Sequence, residues 1–141
     1  MVGDPIADMI TRIKNASMAG KDSIVIPFSK LKLEIAEVLK NEGFLSSVEV
    51  LGKDKLQTLK KLELGIAYFE KPALSSGSRK PKVREVKRVS KPSRRIYADL
   101  SQLGSSKGAR GVSILSTTKG IITGKMAKEK GVRGELLFKI W

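Results

Sequence analysis

The stretch 111–141, GVSILSTTKGIITGKMAKEKGVRGELLFKIW, decides the fold. Residues 111–116 read as a strand. Thr123 stands where a helix N-cap belongs, because its hydroxyl can accept a bond from an otherwise unpaired N–H of the first turn. The helix it opens runs through Lys130 and stops at Gly131, a residue type that tolerates the left-handed cap. Residues 134–141, GELLFKIW, close the chain as a second strand. The segment Ser116-Thr117-Thr118-Lys119-Gly120 is expected between the first strand and the helix.

Working back from there, residues 101–110 read as irregular, and RRIYA at 94–98 as a short strand after a Ser-Lys-Pro-Ser turn. Residues 83–90 alternate and read as a strand with one weakly apolar face. KPALSSGSRKP at 71–81 holds two prolines, a glycine and three serines, which mark a linker or loop. Before it, Asp4-Pro5 is a helix start, an acidic N-cap followed by proline at the first helical position. Ile6, Met9, Ile10, Ile13 and Ala16 follow at helical spacing, and the helix is expected to fade near Ala19-Gly20. SIVIPF at 23–28 is a short strand. Ser29 then caps a helix whose apolar face is Leu31, Ile35, Val38 and Leu39, and Gly43 sits at its C-terminal cap. Residues 44–51 and 60–69 are two more strands around a turn at 52–55, with Leu62, Leu64, Ile66 and Tyr68 sharing a face of the second. The expected class is α+β: a helix-strand-helix-strand-strand module over 1–70, packed on a basic, mostly β module with one short helix over 71–141.

Charge separates the two. Residues 1–70 carry 10 basic and 10 acidic side chains, whereas residues 71–141 carry 18 basic and 4 acidic. The whole excess of +14 therefore lies in the second half, which points to a polyanion-facing module. The chain has no cysteine and no histidine. Disulfides and thiolate metal sites are thereby excluded, and so are the commonest general base and the commonest metal ligand. No Ser-His-Asp, Cys-His or His-Glu pairing exists to activate a nucleophile, so no catalytic residue, metal or cofactor is expected. The first residues lack the pattern of a signal or transit peptide, and no apolar run of about 18 residues is present to span a membrane. The cytosol is the expected location.

Four constellations could carry binding. Residues 79–95 hold nine Lys or Arg and a single acid, Glu85. Arginines such as Arg84, Arg88, Arg94 and Arg95 fork onto phosphate oxygens, and each neutralised phosphate releases counterions and steepens the salt dependence of binding. Ser116, Thr117 and Thr118 offer hydroxyls that both donate and accept, with Lys119 as a point charge and Gly120 as a bend. As a bare pattern, an ordinary polar turn is the commoner reading, and the Gly-Lys-Ser/Thr ending of a phosphate loop is absent. Tyr97, beside Arg94 and Arg95, can stack on an unpaired base or pack inward on a sheet. Glu135, after Arg133 and Gly134, would repel phosphate but could hold a hydroxyl, a lysine or a base amino group.

Taken together, DPIADMITRIKNA, SKLKLEIAEVLKNEGF, RVSKPSRRIY and GVSILSTTKGIITGKMAKEKGVRGELL closely resemble the small-subunit ribosomal protein S-eight family, in order and spacing across nearly the whole chain. The resemblance implies a structural ribosomal protein that binds an irregular helix in the central domain of small-subunit rRNA and supports subunit assembly. Neighbouring small-subunit proteins are then implied as partners, and repression of its own messenger as a further activity. It also implies that Ser116, Thr117 and Thr118 stand in the family's Ser-Thr-Ser loop, with Thr in the third place. Arg95, Ile96 and Tyr97 match its Arg-Ile-Tyr. Arg133, Gly134 and Glu135 match its Gly-Gly-Glu, with an arginine for the first glycine. The loop 73–82 looks longer and more basic than the family's usual one and could reach further rRNA or a neighbouring protein.

Specificity is therefore expected from Ser116, Thr117, Thr118, Tyr97, Gly134 and Glu135, and general affinity from Arg84, Arg88, Arg94, Arg95 and Lys119. A non-specific architectural nucleic-acid binder is the alternative, although the basic residues lie on strands and loops rather than on a recognition helix. A nucleic-acid-modifying enzyme is weakened by the missing His and Cys.

Overall fold

The computed structural model describes residues 3–52, 60–70, 79–98 and 111–141. The turn expected at 52–55, most of the linker 71–81 with the boundary beside it, and the irregular segment 101–110 lie outside the described residues. The chain divides into two compact units, residues 8–84 and residues 1–7 with 85–141.

In the first unit, α1 (Pro5–Ala19) begins in the other unit and continues here. It is followed by β1 (Ser23–Pro27), α2 (Lys30–Asn41), β2 (Leu45–Leu51) and β3 (Lys61–Ile66). The strands form one antiparallel sheet in the order β1-β3-β2. Central β3 buries Leu62, Leu64 and Ile66, as the alternation predicts, but ends before Tyr68. The Tyr68 hydroxyl instead donates to the Lys21 carbonyl at 2.6 Å. Ile6, Met9, Ile10, Ile13 and Ala16 of α1 are all buried, so the predicted stripe is the core stripe. On α2 the stripe is shifted. Ile35, Ala36 and Leu39 are buried, whereas Leu31, in the first turn, is exposed. Ser29 caps α2 by accepting the Lys32 N–H at 3.1 Å. Gly43 N–H to Lys40 and Phe44 N–H to Leu39 close its C-terminus in the left-handed capping pattern.

The second unit is built on β8 (Gly134–Ile140). β4 (Val86–Arg88) and β5 (Tyr97–Ala98) both pair with it, as does β6 (Val112–Thr117), which in turn pairs with β7 (Gly120–Thr123). The sequence pattern places only a polar segment between the strand at 111–116 and the helix, whereas the structure holds β7 there. β7 was hidden because Gly120-Ile121-Ile122-Thr123 is only four residues long and merges into the helix cap. Thr117 and Gly120 are ladder partners, so Thr118-Lys119 is a two-residue hairpin turn. The helix, α3 (Gly124–Lys130), is capped as expected by Thr123, whose hydroxyl accepts the Met126 N–H, and ends at left-handed Gly131.

β4 is shorter than the strand expected over 83–90. The register of β8 skips Leu137 between its pairings to Ile114 and Leu115. Beyond β4, backbone bonds to β8 continue from the Val89 and Ser90 N–H groups to the Leu137 and Leu136 carbonyls, without a regular ladder. One side of the sheet buries Leu115, Ile122, Ala127 and Leu136, with Val89 against them. Phe138, Ile114 and Ile140 are fully buried as well.

Candidate nucleic-acid interface

The site begins with register. Tyr97 of β5 and Ser116 of β6 both pair with Glu135 of β8, from opposite edges of that strand. The next row is Ala98, Gly134 and Thr117. Directly opposed residues in antiparallel strands hold their Cβ atoms about 5 Å apart on one face. Three segments scattered over some forty residues of sequence thereby meet at one end of the sheet. Tyr97, Ser116, Thr117, Thr118, Arg133, Gly134 and Glu135 line a shallow depression there of about 380 Å³. Tyr97 is 74% exposed, so its ring is a free platform rather than a core side chain.

Each motif is held in place by identifiable bonds. The Thr117 hydroxyl donates to the Gly120 carbonyl at 2.8 Å and accepts the Lys119 N–H at 3.1 Å. It clips the turn and keeps one lone pair for a further partner. Gly120, at φ 105°, adopts a backbone that side-chain-bearing residues avoid. The hydroxyls of Ser116 and Thr118 have no partner among the described residues, and Thr118 is exposed. Gly134 is needed for space. A Cβ there would meet the Ser116 carbonyl oxygen at 2.5 Å and the Thr117 methyl at 2.6 Å. The close backbone approach thus belongs to Gly134, whereas Arg133 is exposed.

Glu135 resolves the puzzle of an acid in a basic surface. Its carboxylate, mostly buried, accepts Arg95 NH1 at 3.0 and 3.3 Å. Arg95 itself is half exposed, so the carboxylate orients a guanidinium without removing it from solvent.

One positioning residue escaped the sequence reading. Ser90 is fully buried. Its hydroxyl donates to the Ile96 carbonyl at 3.0 Å and accepts the Ile96 N–H at 2.8 Å. With the reciprocal backbone bonds between Lys91 and Arg94, it closes the hairpin that delivers Tyr97 to β8. The only prior sign was a small polar residue just before the Lys-Pro-Ser turn.

Three expected arginines are not among the described residues that line this depression. Arg88 is only 10% exposed, and its guanidinium is spent on Asp4, through Nε at 2.9 Å and NH2 at 3.3 Å, and on the Leu137 carbonyl through NH1. Asp4 also accepts the Ala7 N–H and so caps α1. Burial pushes the Asp4 carboxyl up, but the hydrogen bonds and charge of Arg88 with the Ala7 N–H outweigh it and hold the group below its ordinary pKa. Arg94 is exposed but lines another groove, with Arg88. Arg84 belongs to the other unit. Among the described residues there is no group of His, Cys, Asp or Glu that could hold a metal, and no helix is long and apolar enough to cross a membrane.

Hydroxyls, an exposed tyrosine and oriented cations at one end of an antiparallel sheet define a basic α+β protein with a polar, cation-bearing surface. The family model described as Ribosomal protein S8 matches residues 4–141. "Small ribosomal subunit protein uS8" of Geobacter metallireducens is 44% identical over 138 residues, which cover 98% of this chain and 97% of that protein. The protein of the same name from Geotalea uraniireducens is 43% identical over the same shares, and that from Pseudomonas aeruginosa is 42% identical. The chain belongs to the ribosomal protein S8 family. Its role is structural rather than enzymatic, and its place is the ribosome, in the cytoplasm.

Proposed function

We propose that the protein is a structural constituent of the small ribosomal subunit that binds an irregular helix in the central domain of small-subunit rRNA. The end of the sheet formed by β5, β8 and the β6–β7 turn makes the contact. The observation that carries this reading is the shared row of Tyr97, Glu135 and Ser116, with exposed Thr118 at the adjacent turn. Regular RNA hides its base edges in a deep groove closed to side chains, so specific contact needs splayed bases, 2′-hydroxyls and local shape. Tyr97 offers a stacking face, Ser116 and Thr118 offer small donors and acceptors, and Gly134 lets backbone come close. Thr117 and Gly120 set the turn, and Arg95, Arg133 and Lys119 supply charge. By holding an irregular helix, the protein supports assembly of the subunit, and the same surface would recognise a similar fold in its own messenger and repress translation.

Filter binding tests this with two transcripts: the central-domain helix, and a version whose irregular core is made fully paired. The proposal expects tighter binding to the first, with a gap that persists from low to physiological salt. Equal binding that salt abolishes for both would leave a non-specific polyanion binder, the reading favoured by charge alone.

A further inference from the structure

A second concave surface lies outside the proposed RNA contact. Lys87 of β4 is the ladder partner of Lys139 of β8, and both are exposed. Like charges directly opposite each other on paired strands repel and destabilise the sheet. Lys91 and Arg94, on the hairpin that follows β4, add two more exposed cations to the same groove of about 400 Å³. None of the four has a carboxylate partner among the described residues, whereas Arg88, at the groove's edge, is neutralised by Asp4. The floor is aliphatic and consists of Val89, Ile96 and Leu136.

That combination differs from the RNA-facing depression. Among the described residues no aromatic side chain and no hydroxyl lines it, and the nearby Ser90 is fully buried with its hydroxyl bonded to the Ile96 backbone. A nucleotide base would find no ring to stack on and no neutral group to read its edge. Four cations with no carboxylate partner among the described residues, set around an aliphatic floor, instead complement carboxylates flanking an apolar side chain.

We propose that this groove, at the junction of β4, β8 and the 91–94 turn, docks an acidic segment of a neighbouring protein in which carboxylates flank a leucine-like side chain. The inference rests on the structural ribosomal role and not on which residues touch RNA.

The test uses the full chain and a fluorescent peptide of glutamates around one leucine, read by anisotropy at physiological salt. Binding is expected, weakened about tenfold or more by the pair Lys87→Ser and Lys139→Ser. A similar loss is expected when the peptide's glutamates become glutamines or its leucine becomes serine, two changes that leave the protein untouched. The central-domain transcript should bind the peptide-saturated protein with unchanged affinity, which separates this site from the RNA contact. If the glutamine peptide binds as well as the glutamate one, or if a non-cognate single-stranded RNA displaces the peptide from the groove, the proposal is overturned.

Discussion

Replacing Asp4 with Asn isolates the charge that anchors Arg88. Asparagine caps a helix about as well as aspartate, so the bond to the Ala7 N–H is retained. What disappears is the anion that receives Arg88 through Nε and NH2. Removing one partner of a fully buried pair typically costs about 3–5 kcal/mol, because the other charge is left stranded. The two side chains keep 10% and 20% of their exposure, and Arg88 retains the Leu137 carbonyl. Discounting for that, we expect a loss of roughly 2–3 kcal/mol near pH 7, read by urea unfolding. The pH dependence follows from the depressed pKa of Asp4. Folding makes this group a stronger acid, so its stabilisation is complete above the unfolded value of about 4. It fades as pH falls through the lower folded value. The gap between the two proteins should therefore be full near pH 7 and shrink steadily below about pH 4. RNA affinity of the folded variant should not change. A gap below about 0.5 kcal/mol at neutral pH, within the range of ordinary surface substitutions, would refute the reasoning. So would a gap that persists undiminished into acid.

Three further outcomes concern the end of the sheet proposed to contact RNA. Gly134→Ala forces a methyl against the Ser116 carbonyl and the Thr117 methyl, and overpacking of this kind costs about 1–3 kcal/mol in thermal or urea unfolding. Its cognate RNA affinity should fall further than its stability alone explains. Thr117→Ser keeps the hydroxyl that clips the turn and should retain RNA binding, whereas Thr117→Val loses both of its bonds and should lose discrimination between the irregular and the fully paired transcript. Tyr97→Ala should weaken the cognate transcript by about 1–3 kcal/mol at any salt, while Lys119→Ala weakens both transcripts and lowers the salt slope by about one.

Much of this was legible because local chemistry and tertiary context agree. The α1 stripe, the Ser29 and Thr123 caps and the Gly131 stop each follow from backbone rules that packing did not override. β7 escaped because four residues between a tight turn and a helix cap leave no room for periodicity to show. The alternation over 83–90 overstated the strand: the regular ladder to β8 covers only Val86–Arg88, and further backbone bonds flank it at Glu85, Val89 and Ser90. At the site, residue types signalled hydroxyls, an aromatic and charge, but not which charges are free. Arg88 and Arg95 look alike in sequence. One is buried on Asp4 and the other is half exposed on Glu135, partners eighty-four residues away in one case and forty in the other. No local pattern carries such distant pairings.

The central claim concerns where RNA touches the protein. At 15.4 kDa the chain is small enough for amide-resolved NMR, and titration with the central-domain transcript maps the contact in one experiment. The account predicts the largest perturbations at Tyr97, at residues 116–120 and at residues 133–135, with residues 8–52 little changed. Perturbations centred on Lys87, Lys91 and Lys139, or spread evenly over every basic segment, would contradict it.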